Sequence, residues 1–206
     1  MYKRQGKTLE ELGFVEEQIP EYVSVKEAVL PFAKFPGSDT LLGPEMRSTG
    51  EAMGIDVDFG KAFAKAQLSA GHKLPLQGTV FVSMSDRNKE AVVPVVKDLI
   101  DLGLKVVATE GTQKVLSSHG LDVGLTLKLH QGRPNVLDGI KNGIIQLIIM
   151  TPSGEDGRAD GIKIRRSALD YKIPLITTIA GSKATAAAIR ALQSGTLEVK
   201  AIQNYY

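Results

Sequence analysis

Hydroxyl and ammonium groups recur where apolar runs of this chain end. The stretch "KVVATEGT" (105–112) closes on Thr109, Glu110, Gly111 and Thr112, and the helical "QKVLSSHG" follows. Thr-x-Gly-Thr at a strand-to-helix junction sets two hydroxyls beside the free N–H groups of a helix N-terminus. Its glycine lets the backbone come close to a ligand, so the tetrapeptide can cradle a phosphate. It serves equally well if Thr109 merely caps the helix. A second signal is "LTLKLH" (125–130). By the two-residue period, Leu125, Leu127 and Leu129 share one face, and Thr126, Lys128 and His130 the other. A lysine in mid-strand forms strand poorly and is costly when buried alone. Lys128 therefore reaches solvent along its stem or meets an anion. Ser83, Ser85, Asp86, Arg87, Asn88 and Lys89 follow the run "VFV", Gly132 and Arg133 follow "LTLKLH", and Thr151, Ser153 and Gly154 follow "LIIM". With Lys89, Lys128 and Arg133 as countercharge, these ends read as an anion site.

The elements that must position these groups alternate. Strands are predicted at 80–85, 105–109, 125–130, 145–151, 174–178 and 197–202. Helices are predicted at 89–103, 112–120, 135–143, 162–172 and 182–192. Such alternation predicts an α/β fold with a doubly wound, mostly parallel sheet covered on both faces. Uninterrupted apolar runs are what doubly covered strands carry. In open sheets of this kind ligands sit beyond the carboxyl ends of the strands. Pro94 is awkward in its helix, which should start late or kink there. "SGEDGRADG" (153–161) reads as a mobile loop over the strand ends, and "IRR" (164–166) as a solvated helix face.

The first part of the chain has another grammar. Residues 1–57 read as irregular, and "PFAKFPGSDTLLGPEMRSTGEAMG" (31–54) carries three prolines and four glycines, which break helix and strand alike. Leu30, Phe32, Phe35, Leu41 and Leu42 are too many large apolar residues for a solvated tail. These residues are expected to belong to a domain that continues outside the chain. "DFGKAFAKAQLSAG" (58–71) predicts a helix with Phe59, Ala62, Phe63 and Ala66 on its buried face and Gly71 as its stop. "HKLPLQG" (72–78) reads as a linker.

Composition excludes several classes. The chain has 206 residues, 43% of them hydrophobic, a net charge of +2 and no cysteine. A packed core is feasible, and no basic field points to nucleic acid. Disulfides, thiolate metal sites and a cysteine nucleophile are ruled out. No apolar run reaches the roughly 18 residues that would suggest a membrane span, and the start lacks a signal-peptide core. A cytoplasmic protein is expected. His72, His119 and His130 have no metal-ligand spacing, and no G-x-G-x-x-G follows a strand.

"SVKEAVLPFAKFPGSDTLLGPEMRSTGEAMG" (24–54) closely resembles the stretch that closes the second ATP-grasp unit in the large chain of carbamoyl-phosphate synthases, and "DFGKAFAKAQL" the helix after it. Residues 79–206 resemble that family's regulatory domain, which has the methylglyoxal-synthase-like fold. The resemblance runs from Gly6 onward; "MYKRQ" does not fit it. It implies an irregular or helical ATP-grasp remnant over 1–71 and an allosteric domain over 72–206. The parent enzyme would make carbamoyl phosphate from bicarbonate, glutamine-derived ammonia and two ATP, for pyrimidines and arginine. It would use Mg or Mn, a small glutaminase chain as partner, and an oligomeric assembly. Its catalytic residues would lie upstream, so these residues would catalyse nothing alone and hold no cofactor of their own.

Carried over by position, the family's effector site falls on Ser83, Lys89, Thr109, Thr112 and Lys128, with UMP or IMP as effectors. Thr151 belongs to it too, but where some members have Asn-Thr-Thr this chain has Met150-Thr151-Pro152. The family's ornithine site matches at Glu27, Leu30 and Thr177, whereas Ile176 replaces its acidic residue. Two other readings stand beside this one. The first is a lyase of the methylglyoxal-synthase type, or the purine-pathway cyclohydrolase, on the same fold; "HQGRPN" (130–135) lacks the carboxylate base that the synthase needs. The second is an oligomerisation domain with no ligand.

Overall fold

A computed structural model of the chain describes residues 6–17, 19–30, 32, 50–151 and 155–205. Phe35, Leu41, Leu42, Pro152, Ser153 and Gly154 lie outside the described residues.

Two strands, β1 (Val23–Val29) and β2 (Gly50–Asp56), pair antiparallel in a register running from Val23 opposite Asp56 to Val29 opposite Gly50. This corrects the irregular reading of residues 1–57. In "VSVKEAV" half-buried and exposed residues alternate strictly, which is the strand period. The neighbouring prolines and glycines obscured it. Helix α1 (Phe59–Ser69) follows, and the Asp58 carboxylate caps it by accepting from the Lys61 N–H at 2.8 Å. Its buried residues are Gly60, Ala62, Ala64, Ala66 and Gln67, while Phe59 is 46% exposed. Of the expected face, Ala62 and Ala66 are buried and Phe63 is partly buried against the core, and only Phe59 stands outside it. Helix α1 is buried mainly by backbone approach through small residues.

The rest alternates as expected: β3 (Thr79–Ser83), α2 (Lys89–Asp101), β4 (Lys105–Ala108), α3 (Glu110–Ser118), β5 (Gly124–Leu125), α4 (Val136–Lys141), β6 (Ile145–Met150), α5 (Glu155–Asp170), β7 (Leu175–Ile176) and α6 (Ile179–Ser194). The five strands form one parallel sheet in the order β5-β4-β3-β6-β7. Val80, Val82, Leu147 and Ile149 point to one core, shared with Val92, Val96 and Leu99 of α2 and Ile189 of α6. Phe81 and Ile148 point to the other, shared with Val136 and Ile140 of α4 and Ile164 and Ala168 of α5. The period-2 alternation of β3 and β6 thus feeds two hydrophobic layers, which makes the sheet doubly wound.

Five local readings are corrected. Pro94 does not delay α2, which starts at Lys89. Both Pro94 and Glu90, whose carbonyl loses its helical donor, are exposed, so water can replace the missing bond. Of "LTLKLH" only Leu125 lies in a strand, the two-residue β5, and the stretch then passes into a 3-10 turn at Leu129–Gln131. "LEVKAI" forms no strand; only a 3-10 turn at Ile202–Tyr205 follows α6. The loop expected at 153–161 is helical from Glu155, and within "IRR" Arg165 is buried at 3% exposure.

Helix α1 joins the two sheets. A Cβ on Gly54 of β2 would collide with the Ala62 carbonyl oxygen and the Ala66 amide, and one on Gly60 would stand 2.6 Å from the Ala187 carbonyl oxygen of α6. Glycines allow both approaches.

Candidate functional site

The strand order reverses between β3 and β6, and the carboxyl ends of β3, β4 and β6 open there into a cavity of about 420 Å³. Ser83, Lys89, Thr109, Thr112 and Lys128 all line it, together with Ser85, Asp86, Gly111, His130 and Asp160. This is where an open α/β sheet leaves a crevice, and the volume lies within the range of small-molecule sites.

Thr109 stands at the N-cap of α3 with an extended backbone, but its hydroxyl makes no capping bond. It meets the Ser83 hydroxyl instead, at 3.2 Å. The capping role considered for it is thus not the one the side chain plays. The N–H groups of Glu110 and Gly111, in the first turn of α3, have no acceptor among the described residues. The Thr112 hydroxyl oxygen accepts from the Met84 N–H at 3.0 Å, which leaves its proton free to donate. Thr112 is 1% exposed. Thr112→Val is therefore expected to strand the Met84 N–H and to destabilise the fold by about 1–3 kcal/mol. Thr112→Ser should recover most of that loss in urea unfolding.

Two ammonium groups face this helix end. Lys89 Nζ would lie 2.9 Å from a Cβ on Gly111 and is paired with Asp86 Oδ1 at 2.6 Å. The Lys89 ammonium, with a smaller contribution from Lys128, holds the Asp86 carboxyl below the usual carboxylate range. Lys128 forms no ion pair among the described residues. Arg133 turns away to Asp138 at 3.7 Å and does not line the cavity. Thr151 is buried behind the wall, where its hydroxyl oxygen accepts from the Ser85 N–H at 2.9 Å. It shapes the β3 turn from there.

Sequence reasoning missed the pair His130 Nδ1 and Asp160 Oδ2, 3.3 Å apart on the rim. The alternation in "LTLKLH" did place His130 on the face of Lys128, but Asp160 was hidden by the loop reading of 153–161. The cavity therefore does contain carboxylates, although "HQGRPN" has none. Asp86 and Asp160 both carry cationic or imidazole partners, and Asp86 with its depressed pKa is a weak base.

The ornithine-site matches lie elsewhere. Glu27 sits half-buried on β1, and burial raises its pKa, opposed by His72 and by a hydrogen bond from Gln67. Leu30 follows β1, and Thr177 precedes Thr178, the N-cap of α6. Ile176 packs against the core of the parallel sheet.

Residues 91–177 match the MGS-like domain family. The whole chain has close relatives as well. It is 72% identical over 201 residues to the carbamoyl phosphate synthase large chain of Synechocystis sp., which covers 97% of this chain and 19% of that one. It is 53% identical over 203 residues to the arginine-specific, chloroplastic large chain of Oryza sativa, covering 98% of this chain and 17% of that one. The chain belongs to the carbamoyl phosphate synthase large-chain family. As a large-chain segment it spans 17–19% of the length of these curated relatives. The lyase reading is not favoured, because large chains match it from the β1–β2 pair through the parallel sheet. Among solved structures, methylglyoxal synthase from Elizabethkingia anophelis is 16% identical, with a TM-score of 0.46 over 55% of this chain and 79% of that one. Among the described residues no helix is long and apolar enough to cross a membrane.

Proposed function

We propose that this large-chain segment is the nucleotide-sensing part of a carbamoyl phosphate synthase. The observation that carries the reading is the Lys128 ammonium, without an ion-pair partner among the described residues, in a cavity that also holds Lys89, the Thr112 hydroxyl and the open first turn of α3. Charge-assisted donors of this kind, aimed at one point, suit a phosphate. The phosphate of UMP or IMP would meet Lys128, Lys89, the Glu110 and Gly111 N–H groups and the Thr112 proton. Ser83 and Thr109 would order the wall beside it, and Thr151 would hold the Ser85 turn. Leu129 and Ile164, backed by the buried Phe81 and Val136, form the apolar side of the cavity facing the ribose and base.

The parent enzyme then forms carbamoyl phosphate from bicarbonate, glutamine-derived ammonia and two ATP, feeding pyrimidine and arginine synthesis in the cytoplasm. A small glutaminase chain supplies the ammonia, the parent is oligomeric, and ATP with Mg or Mn acts outside these residues. Residues 1–71 end the second ATP-grasp unit, and 72–206 form the regulatory domain. A thermal-shift series tests the reading. UMP or IMP at 100 times its dissociation constant should add about 2.7 kcal/mol, and adenosine and ornithine should add nothing. Incubation with dihydroxyacetone phosphate should yield no methylglyoxal.

Ornithine is not an effector here. A cationic amino acid leaving water needs anionic partners. Ile176 offers none and is committed to the core of the parallel sheet. In the full enzyme with its glutaminase partner, ornithine should leave the rate unchanged with or without UMP. Strong activation of the wild type would refute this, and a response gained only in Ile176→Asp would support it.

A further inference from the structure

The Lys89–Asp86 pair is lopsided. The Lys89 side chain is 20% exposed, whereas that of Asp86 is 96% exposed. A carboxylate on a surface turn thus reaches the inner ammonium, at the point where the first turn of α3 approaches most closely. Lys128, across the same opening, has no such partner among the described residues. One of the two cations is already neutralised from within the chain and the other is not.

We propose that the Asp86 carboxylate is a built-in competitor for the anion subsite, and that a nucleoside monophosphate enters by displacing it from Lys89. The inference rests on the nucleotide reading above. The phosphate first meets Lys128, then exchanges with Asp86 at Lys89, and the released carboxylate turns into water. An exposed carboxylate regains its hydration at once, so the exchange costs little. Only a ligand with enough negative charge drives it. Asp86 therefore sets the affinity for the phosphate: it weakens every phosphate-bearing ligand by the cost of the exchange and leaves nucleosides, which do not reach Lys89, untouched. The depressed pKa of Asp86, with Lys89 as its main cause and Lys128 as a further one, agrees with a carboxylate lying in the field of both cations.

Isothermal titration of the whole chain tests this, with UMP and uridine as probes against wild type, Asp86→Asn and Asp86→Glu at one ionic strength. Asp86→Asn should bind UMP about fivefold tighter, the upper end for an exposed ion pair. Asp86→Glu should stay near the wild type, and uridine should not respond to either change. UMP affinity that is equal or weaker in Asp86→Asn, with the wild type binding normally, overturns the competitor role. An equal gain for uridine overturns it too, since the pocket would then have changed shape. If neither wild type nor Asp86→Asn binds UMP or IMP, the nucleotide reading itself fails and the competitor role falls with it.

Discussion

Lys128→Ala is expected to weaken UMP binding roughly tenfold to a hundredfold. Hydrogen bonds to ionised groups contribute about 1.5–3 kcal/mol, and each 1.4 kcal/mol is about tenfold. Lys128 is the sharper choice of the two cavity lysines. Lys89 is paired to Asp86 at 2.6 Å, so its removal also frees a carboxylate beside the site. Lys128 has no ion-pair partner among the described residues, and its loss strands no charge. The melting temperature of the unliganded variant should therefore match the wild type, which separates a binding defect from a folding defect. Lys128→Arg should retain part of the affinity, because it keeps the charge with a different donor geometry. Unchanged UMP affinity in Lys128→Ala would remove this residue from the site.

Gly54→Ala should destabilise the docking of α1 by about 3 kcal/mol, the upper end for overpacking. The added methyl would meet the Ala62 carbonyl oxygen and the Ala66 amide, both backbone atoms of a helix interior. A flexible side chain could swing aside, but these atoms cannot. Gly60→Ala meets the Ala187 carbonyl oxygen of α6 at 2.6 Å and should act in the same direction. Gly50→Ala is the control, since its nearest neighbour is the Val29 Cβ at 3.4 Å, an ordinary contact. It should change stability by less than ~0.5 kcal/mol. Hydrogen exchange would locate the effect. Amides of β2 and α1 should lose protection in Gly54→Ala, whereas those of β3 and β6 should keep it. Loss of protection across the parallel sheet would mean that the two sheets unfold as one unit.

The parallel sheet was legible because its strands are buried on both faces. "VFV", "VVA" and "LIIM" admit few other structures, and the glycines after the helices mark their ends. The hydroxyls and lysines of the site were legible for a related reason, since polar residues at the ends of apolar strands have few structural uses. What stayed hidden depends on contacts that no local pattern encodes. The β1–β2 pair is bound across a stretch of prolines and glycines, and α1 is buried by small residues. Neither produces a large-residue stripe. Asp160 reached the cavity only because α5 begins at Glu155, against the loop grammar of three glycines in nine residues. Whether Thr109 caps α3 turned on the rotation of one side chain, which meets the Ser83 hydroxyl instead.

The most direct test of the central claim is isothermal titration of UMP into the wild-type chain, with IMP titrated in parallel. A regulatory nucleotide site predicts saturable binding of at least one of them at one site per chain, abolished or strongly weakened in Lys128→Ala. Absence of binding by both nucleotides, to a chain whose unfolding transition shows it to be folded, would contradict it.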